Sequence, residues 1–237
     1  MKVLIYGLPG SGKTTLAEKL YLTLGVDKVA WFNADKVRRE ADDWDFSEEG
    51  RIRQNERMNK LCNNASAEGK IAIADFVAPF HEQRMLFNAD IEIFMDTIEE
   101  GRFEDTNKVF EKSVFADYTC EEFNDTDWIN ISWLIGNKHF DGKKPTVQML
   151  GRYQPWHPGH QALLERAIAK TGQVNIMVRD MSIDENNPYT AEQVVQNVHK
   201  ELVNYAGQIM FNIVPNIVNI TYGRDVGYKI EQEQFDK

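Results

Sequence analysis

The chain has 237 residues, enough for one large domain or two small ones with real cores. With 42% hydrophobic and 27% charged residues it has an ordinary globular composition, and no apolar stretch is long enough to span a bilayer. A formal charge of −10 argues against a general nucleic-acid binder, so any polyphosphate site has to be a local cluster of Lys, Arg and backbone N–H groups. The only cysteines are Cys62 and Cys120, which gives no disulfide framework or metal cluster, and the N-terminal apolar run is too short for a signal peptide. The expectation is a cytoplasmic protein with no membrane partner.

In chain order, Lys2–Tyr6 is a short apolar run that ends at a glycine, and Leu16, Leu20 and Leu24 give 14–24 a helical spacing. A second strand is predicted over 28–32, a short helix over 35–42 and a long one over 47–67, with Ile52, Met58, Leu61 and Ala65 on its buried face. Ile71–Ala74 reads as a buried strand with Asp75 at its end, Ile91–Met95 as another, and 127–135 as a closing helix. Such alternation predicts a parallel sheet covered on both sides. The segment 136–145 is polar, holds Gly136 and Gly142 and ends in Pro145, so it reads as a linker. Beyond it, strands are predicted at 146–150, 174–178, 209–214 and 217–222, and helices at 159–170, 191–205 and from Gly227 onward. The expected fold class is α/β: a P-loop parallel sheet over 1–142, then a small Rossmann-like domain over 143–237.

The pattern G-x-x-x-x-G-K-[ST] occurs as Gly7, Gly12, Lys13 and Thr14, between a predicted strand and a predicted helix. Its glycines let the backbone approach phosphates, and the helix N-terminus adds partial positive charge. The expected phosphate-binding set is Gly7, Gly10, Ser11, Gly12, Lys13, Thr14 and Thr15. Lys13 would reach the β- and γ-phosphates of ATP, the Thr14 hydroxyl would coordinate Mg²⁺, and Asp75 would hold a metal-bound water.

The neighbouring residues resemble the adenylylsulfate kinases over about 1–140. That family's Asp-Gly-Asp-x-x-Arg stretch is matched by Asn33, Asp35 and Arg38, and its Phe-Ser followed by arginine is matched by Phe46, Ser47 and Arg51. Its Ser-Pro-Tyr segment aligns with Ala78-Pro79-Phe80, and its mobile lid follows Asp96-Thr97, here 98–115 with Arg102 and Lys108 as cationic candidates. The resemblance implies phosphorylation of the 3′-hydroxyl of adenylyl sulfate, in sulfate assimilation, and is compatible with a homodimer. It casts Asp35 as the group that accepts or holds the hydroxyl proton. Asn33, Arg38, Arg51, Gln54 and Arg102 would bind substrate, with Phe46 and Phe76 against the purine. Asn33, Ala78 and Gln54 depart from the family's Asp, Ser and Asn, and the lid sequence differs from its basic type. Without the family, Asp35 also reads as a helix cap and Arg51 and Arg57 as a solvated helix face.

The second half opens with MLGRYQPWHPGHQALL, residues 149–164. The His157-Pro158-Gly159-His160 run resembles the HxGH signature of the nucleotidyltransferase superfamily. GRYQPWHPGH, with Asn187-Pro188-Tyr189-Thr190-Ala191-Glu192, is similar to the nicotinamide-mononucleotide adenylyltransferases. The resemblance implies that His157 and His160 donate to the α- and β-phosphates of an NTP at a helix start as pyrophosphate leaves, that Gly159 admits the triphosphate, and that Arg224 supplies a further cation. His81, His139 and His199 stand alone and read as surface or packing residues. Three readings follow: a kinase of adenylyl sulfate fused to a nucleotidyltransferase; a nicotinamide nucleotide kinase and adenylyltransferase; and a degenerate nucleotide-binding regulator. Each takes small nucleotides as its ligands.

Overall fold

The structure, a computed structural model, describes residues 1–221, 223, 227 and 229–233. They fall into two compact units, 1–135 and 136–237.

The first unit is built on five parallel strands: β1 (Lys2–Tyr6), β2 (Val29–Asn33), β3 (Ile71–Asp75), β4 (Ile91–Met95) and β5 (Tyr118–Cys120), in the order β2-β3-β1-β4-β5. Its helices are α1 (Lys13–Leu24), α2 (Ala34–Glu40), α3 (Glu48–Ala67), α4 (His81–Phe87) and α5 (Glu104–Val109). A sixth, α6 (Asp125–His139), begins in this unit. β3 is buried along its whole length, as a strand covered on both faces must be, which is why it reads as an unbroken apolar run. Tyr6 stacks on Phe94 at 5.3 Å and Phe94 on Phe110 at 5.9 Å, within a core that also takes Met58, Cys62 and Ala65 from α3. Ile52, expected on that buried face, is exposed; it lies in the first turns of α3, before the helix reaches the sheet-facing residues Met58, Cys62 and Ala65.

The ladder brings Asn33 directly opposite Asp75 and Ile5 opposite Asp75. The carboxyl ends of β1, β2 and β3 therefore share one edge, where ligands bind in open α/β sheets. Ser47 caps α3 by accepting from the Gly50 nitrogen at 3.2 Å.

The expected linker over 136–145 is overturned in its first four residues. α6 continues through His139, not stopping at Ile135, and the Phe140 nitrogen still donates to the Gly136 carbonyl at 2.9 Å. Gly136 is a packing glycine: a Cβ there would strike the Gly207 nitrogen and lie 2.9 Å from the Ala206 carbonyl carbon. α4, α5 and β5 were not anticipated, being too short for a periodic signal.

The second unit has three parallel strands in sequence order: β6 (Val147–Gly151), β7 (Val174–Arg179) and β8 (Ile209–Val214). α7 (Pro158–Thr171) and α8 (Ala191–Glu201) connect them, and the expected extension of α8 to Tyr205 is instead a separate 3-10 turn, Val203–Tyr205. Thr190 and Gln193 close a capping box at the start of α8. The strand expected over 217–222 is absent from 217–221, with Tyr222 outside the described residues. Pro215 offers no N–H to a ladder and its carbonyl takes the Ile217 nitrogen in a tight turn, which ends the pairing. The helix expected from Gly227 is not formed by 227 or 229–233; Glu231 and Glu233 instead pair with Lys170, and Glu233 with Arg166, on α7.

Gly136→Ala should lower stability by about 1–3 kcal/mol, the usual cost of overpacking, whereas Gly142→Ala, which meets nothing within 4 Å, should be close to neutral. Thermal unfolding followed by circular dichroism measures this, and equal midpoints for the two variants would refute the packing role.

Candidate functional site

The loop between β1 and α1 is shaped by its glycines. Gly7, Gly10 and Gly12 all have positive φ (146°, 99° and 90°), and a Cβ on Gly7 would sit 2.5 Å from the Met95 carbonyl oxygen. The Lys13 ammonium is buried and folded onto the loop, donating to the Gly7 carbonyl at 2.9 Å and the Leu8 carbonyl at 2.7 Å. Burial pushes its pKa down to about 8, against the pull of Asp75 and Asp35. Ser11 is buried and its carbonyl accepts from Thr97 Oγ1 at 2.8 Å, which ties the loop to the residue after β4. Thr14 and Thr15 are exposed at the start of α1.

Beside the loop lies a polar cluster. Asp75 Oδ2 accepts from Thr14 Oγ1 at 2.7 Å and from Asn33 Nδ2 at 3.0 Å, and Asp75 Oδ1 accepts from Trp31 Nε1 at 3.1 Å. Burial raises the Asp75 pKa, and the three donors hold it back. Trp31 was not singled out in the sequence. It sits two residues before Asn33 on the same face of β2, and that period-2 spacing was the available signal.

The structure redistributes the expected substrate residues. Asp35 is not a helix cap: Asn33 caps α2, its side chain accepting from the Lys36 nitrogen, and Asp35 stands exposed in the first turn. Arg38, expected to face substrate, is buried and spends one guanidinium nitrogen on the carbonyls of Asp43 and Asp45, at 3.0 and 2.9 Å. Those carbonyls need a donor where the chain turns between α2 and α3. Gln54 is also buried, donating to the Ala34 carbonyl and accepting from Arg57. Phe76 is a core residue packed 5.6 Å from Phe87, so it cannot wall a purine. Phe46 is exposed, Arg51 donates to its carbonyl at 2.9 Å, and another Arg51 nitrogen lies 3.5 Å from Asp105 of α5. Arg102 lies beside Gly10 at the loop, and Lys108 pairs with Glu104 on its own helix.

In the second unit, Gly151 ends β6, and a Cβ there would lie 2.7 Å from the ring of Tyr153, which folds back over it. His157 caps α7 with Nδ1 accepting from the Gly159 nitrogen at 3.1 Å, and its ring stacks on that of His160 at 3.6 Å. A Cβ on Gly159 would lie 3.0 Å from the His157 ring, a tight approach that the ring would have to relieve by shifting a few tenths of an ångström. Burial first, and the neighbouring His157 second, push the His160 pKa down to about 4, so it is neutral at pH 7; its buried Nδ1 has no hydrogen-bond partner. Both histidines line a cleft of about 200 Å³ with Arg152, Tyr153, Gln154, Pro155 and Asn186. Gln154 accepts from the Tyr189 nitrogen and Arg152 approaches Asn187, so the Asn187-Pro188-Tyr189 segment packs against the loop that carries the histidines. His199 is a packing residue, edge-on to Phe211 at 4.7 Å. Arg224 lies outside the described residues.

The sheet order, the glycine loop and the Thr14–Asp75 pair give the first unit a P-loop kinase fold. Residues 1–114 match the family model for adenylylsulphate kinase. Over 99 residues the chain is 34% identical to an adenylyl-sulfate kinase of Marinobacter nauticus, covering 38% of this chain and 50% of that protein. It is 30% identical over 118 residues to the bifunctional enzyme NodQ of Rhizobium meliloti, covering 46% of this chain and 18% of NodQ. The matched stretch thus spans half or less of either curated relative. A hexameric APS kinase from Thiobacillus denitrificans aligns with a TM-score of 0.47 and 21% identity, over 58% of this chain and 28% of that one. The family match ends at Val114, so the reading of the second unit rests on its own residues.

A lysine held near pKa 8 makes nucleotide binding depend on pH. The ammonium is the form that meets a triphosphate, so affinity for Mg-ATP should be flat below pH about 8 and weaken by up to tenfold per unit above it. Calorimetry at pH 9 in buffers of different ionisation enthalpy should show proton uptake on binding, which Lys13→Arg should abolish. Affinity that does not change between pH 7 and 9.5 would exclude this role for Lys13.

Proposed function

We propose that the first unit transfers the γ-phosphoryl group of ATP to the 3′-hydroxyl of adenylyl sulfate. The observation that carries this reading is the phosphate loop set against Asp75, Asn33 and Thr14, within residues that match the adenylylsulphate kinase family. Lys13 leaves the loop carbonyls for the β- and γ-phosphates, an exchange that its partial desolvation favours. Thr14 and Asp75 form an oxygen donor pair 2.7 Å apart, which suits a hard cation such as Mg²⁺. Thr14 would hold the ion through its hydroxyl and Asp75 through a water, and the ion would supply positive charge against the charge that develops on the transferred phosphoryl group. Asp35 is close enough to the loop to act on the charge of Lys13 and is exposed on the ligand-binding edge, so it takes the hydroxyl proton or holds the hydroxyl in line. Phe46, Arg51 and Arg102 contact the acceptor. Arg38, Gln54 and Phe76 shape the site from behind.

Purified protein with Mg-ATP should release ADP only when adenylyl sulfate is present, and Lys13→Ala should lower that rate at least 10²-fold, by about 3 kcal/mol or more in barrier. A ³¹P NMR product screen checks this. Equal ADP release without the acceptor, or with nicotinamide riboside in its place, would overturn the assignment.

The second unit carries its own reading as a nucleotidyltransferase that releases pyrophosphate from an NTP. The stacked His157–His160 pair at the N-terminus of α7, lining a cleft, favours it. Neutral His160 is a hydrogen-bond donor to phosphate oxygen, and the helix start adds partial positive charge. ATP with nicotinamide mononucleotide should yield pyrophosphate, and His160→Ala should abolish it. No pyrophosphate with any acceptor tested would point to a unit that binds without turnover.

A further inference from the structure

The chain departs from the adenylylsulfate kinase pattern at Asn33, where the family has an aspartate, and the sheet sets Asp75 directly opposite that position. Trp31 and Asn33 lie two residues apart on the same side of β2, and both side chains end on the Asp75 carboxylate. The Trp31 indole N–H donates to Oδ1 at 3.1 Å. The Asn33 amide donates to Oδ2 at 3.0 Å, beside the Thr14 hydroxyl at 2.7 Å, and the same amide nitrogen lies 3.3 Å from Thr14 Oγ1. Which end of the amide faces Asp75 is fixed by α2, because the Asn33 side-chain oxygen accepts from the Lys36 nitrogen at 3.1 Å. The Trp31 ring is held as well: the Lys36 ammonium lies 5.0 Å from its centroid and the Tyr21 ring 6.1 Å. An aspartate at position 33 would lose the N–H and put a second carboxylate where the Asn33 nitrogen now sits, 3.0 Å from Oδ2. Two carboxylates sharing such a site resist joint ionisation, so the ladder has room for one.

We infer that the one carboxylate on the metal side of this site stands on β3, as Asp75, in place of a carboxylate at position 33, and that Trp31 and Asn33 are positioning residues that hold it on Thr14. The inference rests on the Mg-nucleotide part of the kinase reading and deepens it. With Oδ1 tied to the indole, the carboxylate cannot turn about its Cβ–Cγ bond without breaking that hydrogen bond, so Oδ2 stays beside the Thr14 hydroxyl. With Asn33 on Oδ2, the same oxygen keeps a donor when Thr14 turns its hydroxyl toward a cation. Partners of this kind around a metal ligand set its orientation, and their loss usually weakens metal binding about 10–100-fold. The two strands are interchangeable in principle. If the amide and the carboxylate traded places, the amide on β3 would still accept from Trp31 and donate across the ladder, and the carboxylate on β2 would still cap α2.

The test is calorimetric titration of the full chain with AMPPNP, once with Mg²⁺ and once in EDTA. The ratio of the two dissociation constants isolates the share of affinity that the metal supplies. Trp31→Phe keeps a ring beside Lys36 and Tyr21 but removes the N–H. It should lower the ratio about tenfold while the constant in EDTA stays within about twofold. Asn33→Asp should lower the ratio at least as far, although it restores the family's residue. The charge-conserving exchange, Asn33→Asp together with Asp75→Asn, should recover most of it. Circular dichroism checks that each variant is folded, and if Asn33→Asp is not, Trp31→Phe and the exchange decide. A ratio in Asn33→Asp equal to that of wild type, an exchange no better than Asn33→Asp alone, or an equal loss with and without Mg²⁺ in Trp31→Phe would overturn the inference. A wild-type ratio of one would overturn it together with the Mg²⁺ part of the kinase reading. Absence of acceptor-dependent ADP release, with the ratios as expected, would overturn the acceptor assignment alone and support the inference.

Discussion

Asp75 is a carboxylate placed almost out of solvent at the end of the most buried strand in the sheet. A buried charge of this kind is costly unless donors surround it. Here three arrive from two different segments: Thr14 from the first turn of α1, and Trp31 and Asn33 from β2. Their convergence depends on the parallel register that sets Asn33 against Asp75 and Ile5 against Asp75. A slip of one residue would turn Asp75 to the other face of the sheet and separate it from all three. The phosphate loop, the candidate metal ligands and the start of α2 are therefore one arrangement, fixed by a single register.

The second constraint is how the arginines behind the loop are used. Arg38, Arg53 and Arg57 stand near Asp43 and Asp45, and each is committed to that acidic turn. Arginine suits this work because its planar fork satisfies several acceptors at once, whether carbonyl or carboxylate. The carboxyl of Asp43 is held well below the usual carboxylate range by its hydrogen bond from Arg57, so the pairing persists across the ordinary pH range. In a chain of net charge −10, cations so engaged do not make a general anion-binding face. They stiffen the turn that presents Phe46 and Trp44. Arg102 lies beside Gly10 of the phosphate loop, and Arg51 reaches α5 through Asp105.

The second unit solves a related problem with fewer parts. Two glycines, Gly151 and Gly159, leave room for Tyr153 and for His157, and the aromatic rings of Tyr153, Trp156, His157 and His160 then pack against one another. Burial first, and the His157 ring 3.6 Å away second, lower the proton affinity of His160 until the ring is neutral at physiological pH. Two cations at that separation would repel, so neutrality is the condition for the stack.

The sequence by itself determined whatever depends on local backbone chemistry. The glycine spacing of the phosphate loop, the buried strand that ends in Asp75, the cap at Ser47 and the His157–Gly159–His160 turn are each set by neighbours within a few residues. Only the tertiary structure decided which side chains meet. Phe76 and Gln54 were drawn into the interior, and Arg38 was taken by the carbonyls of a turn five residues on. Gly136 became a packing contact inside a helix, although its composition suggested a linker. Trp31 joined the Asp75 cluster and Trp44 was left outside, two tryptophans whose fates composition does not distinguish. The physical reason is that burial and partnership are properties of the packed sheet, where unsatisfied carbonyls and carboxylates compete for the same few donors. A sequence records those groups but not the distances over which they compete.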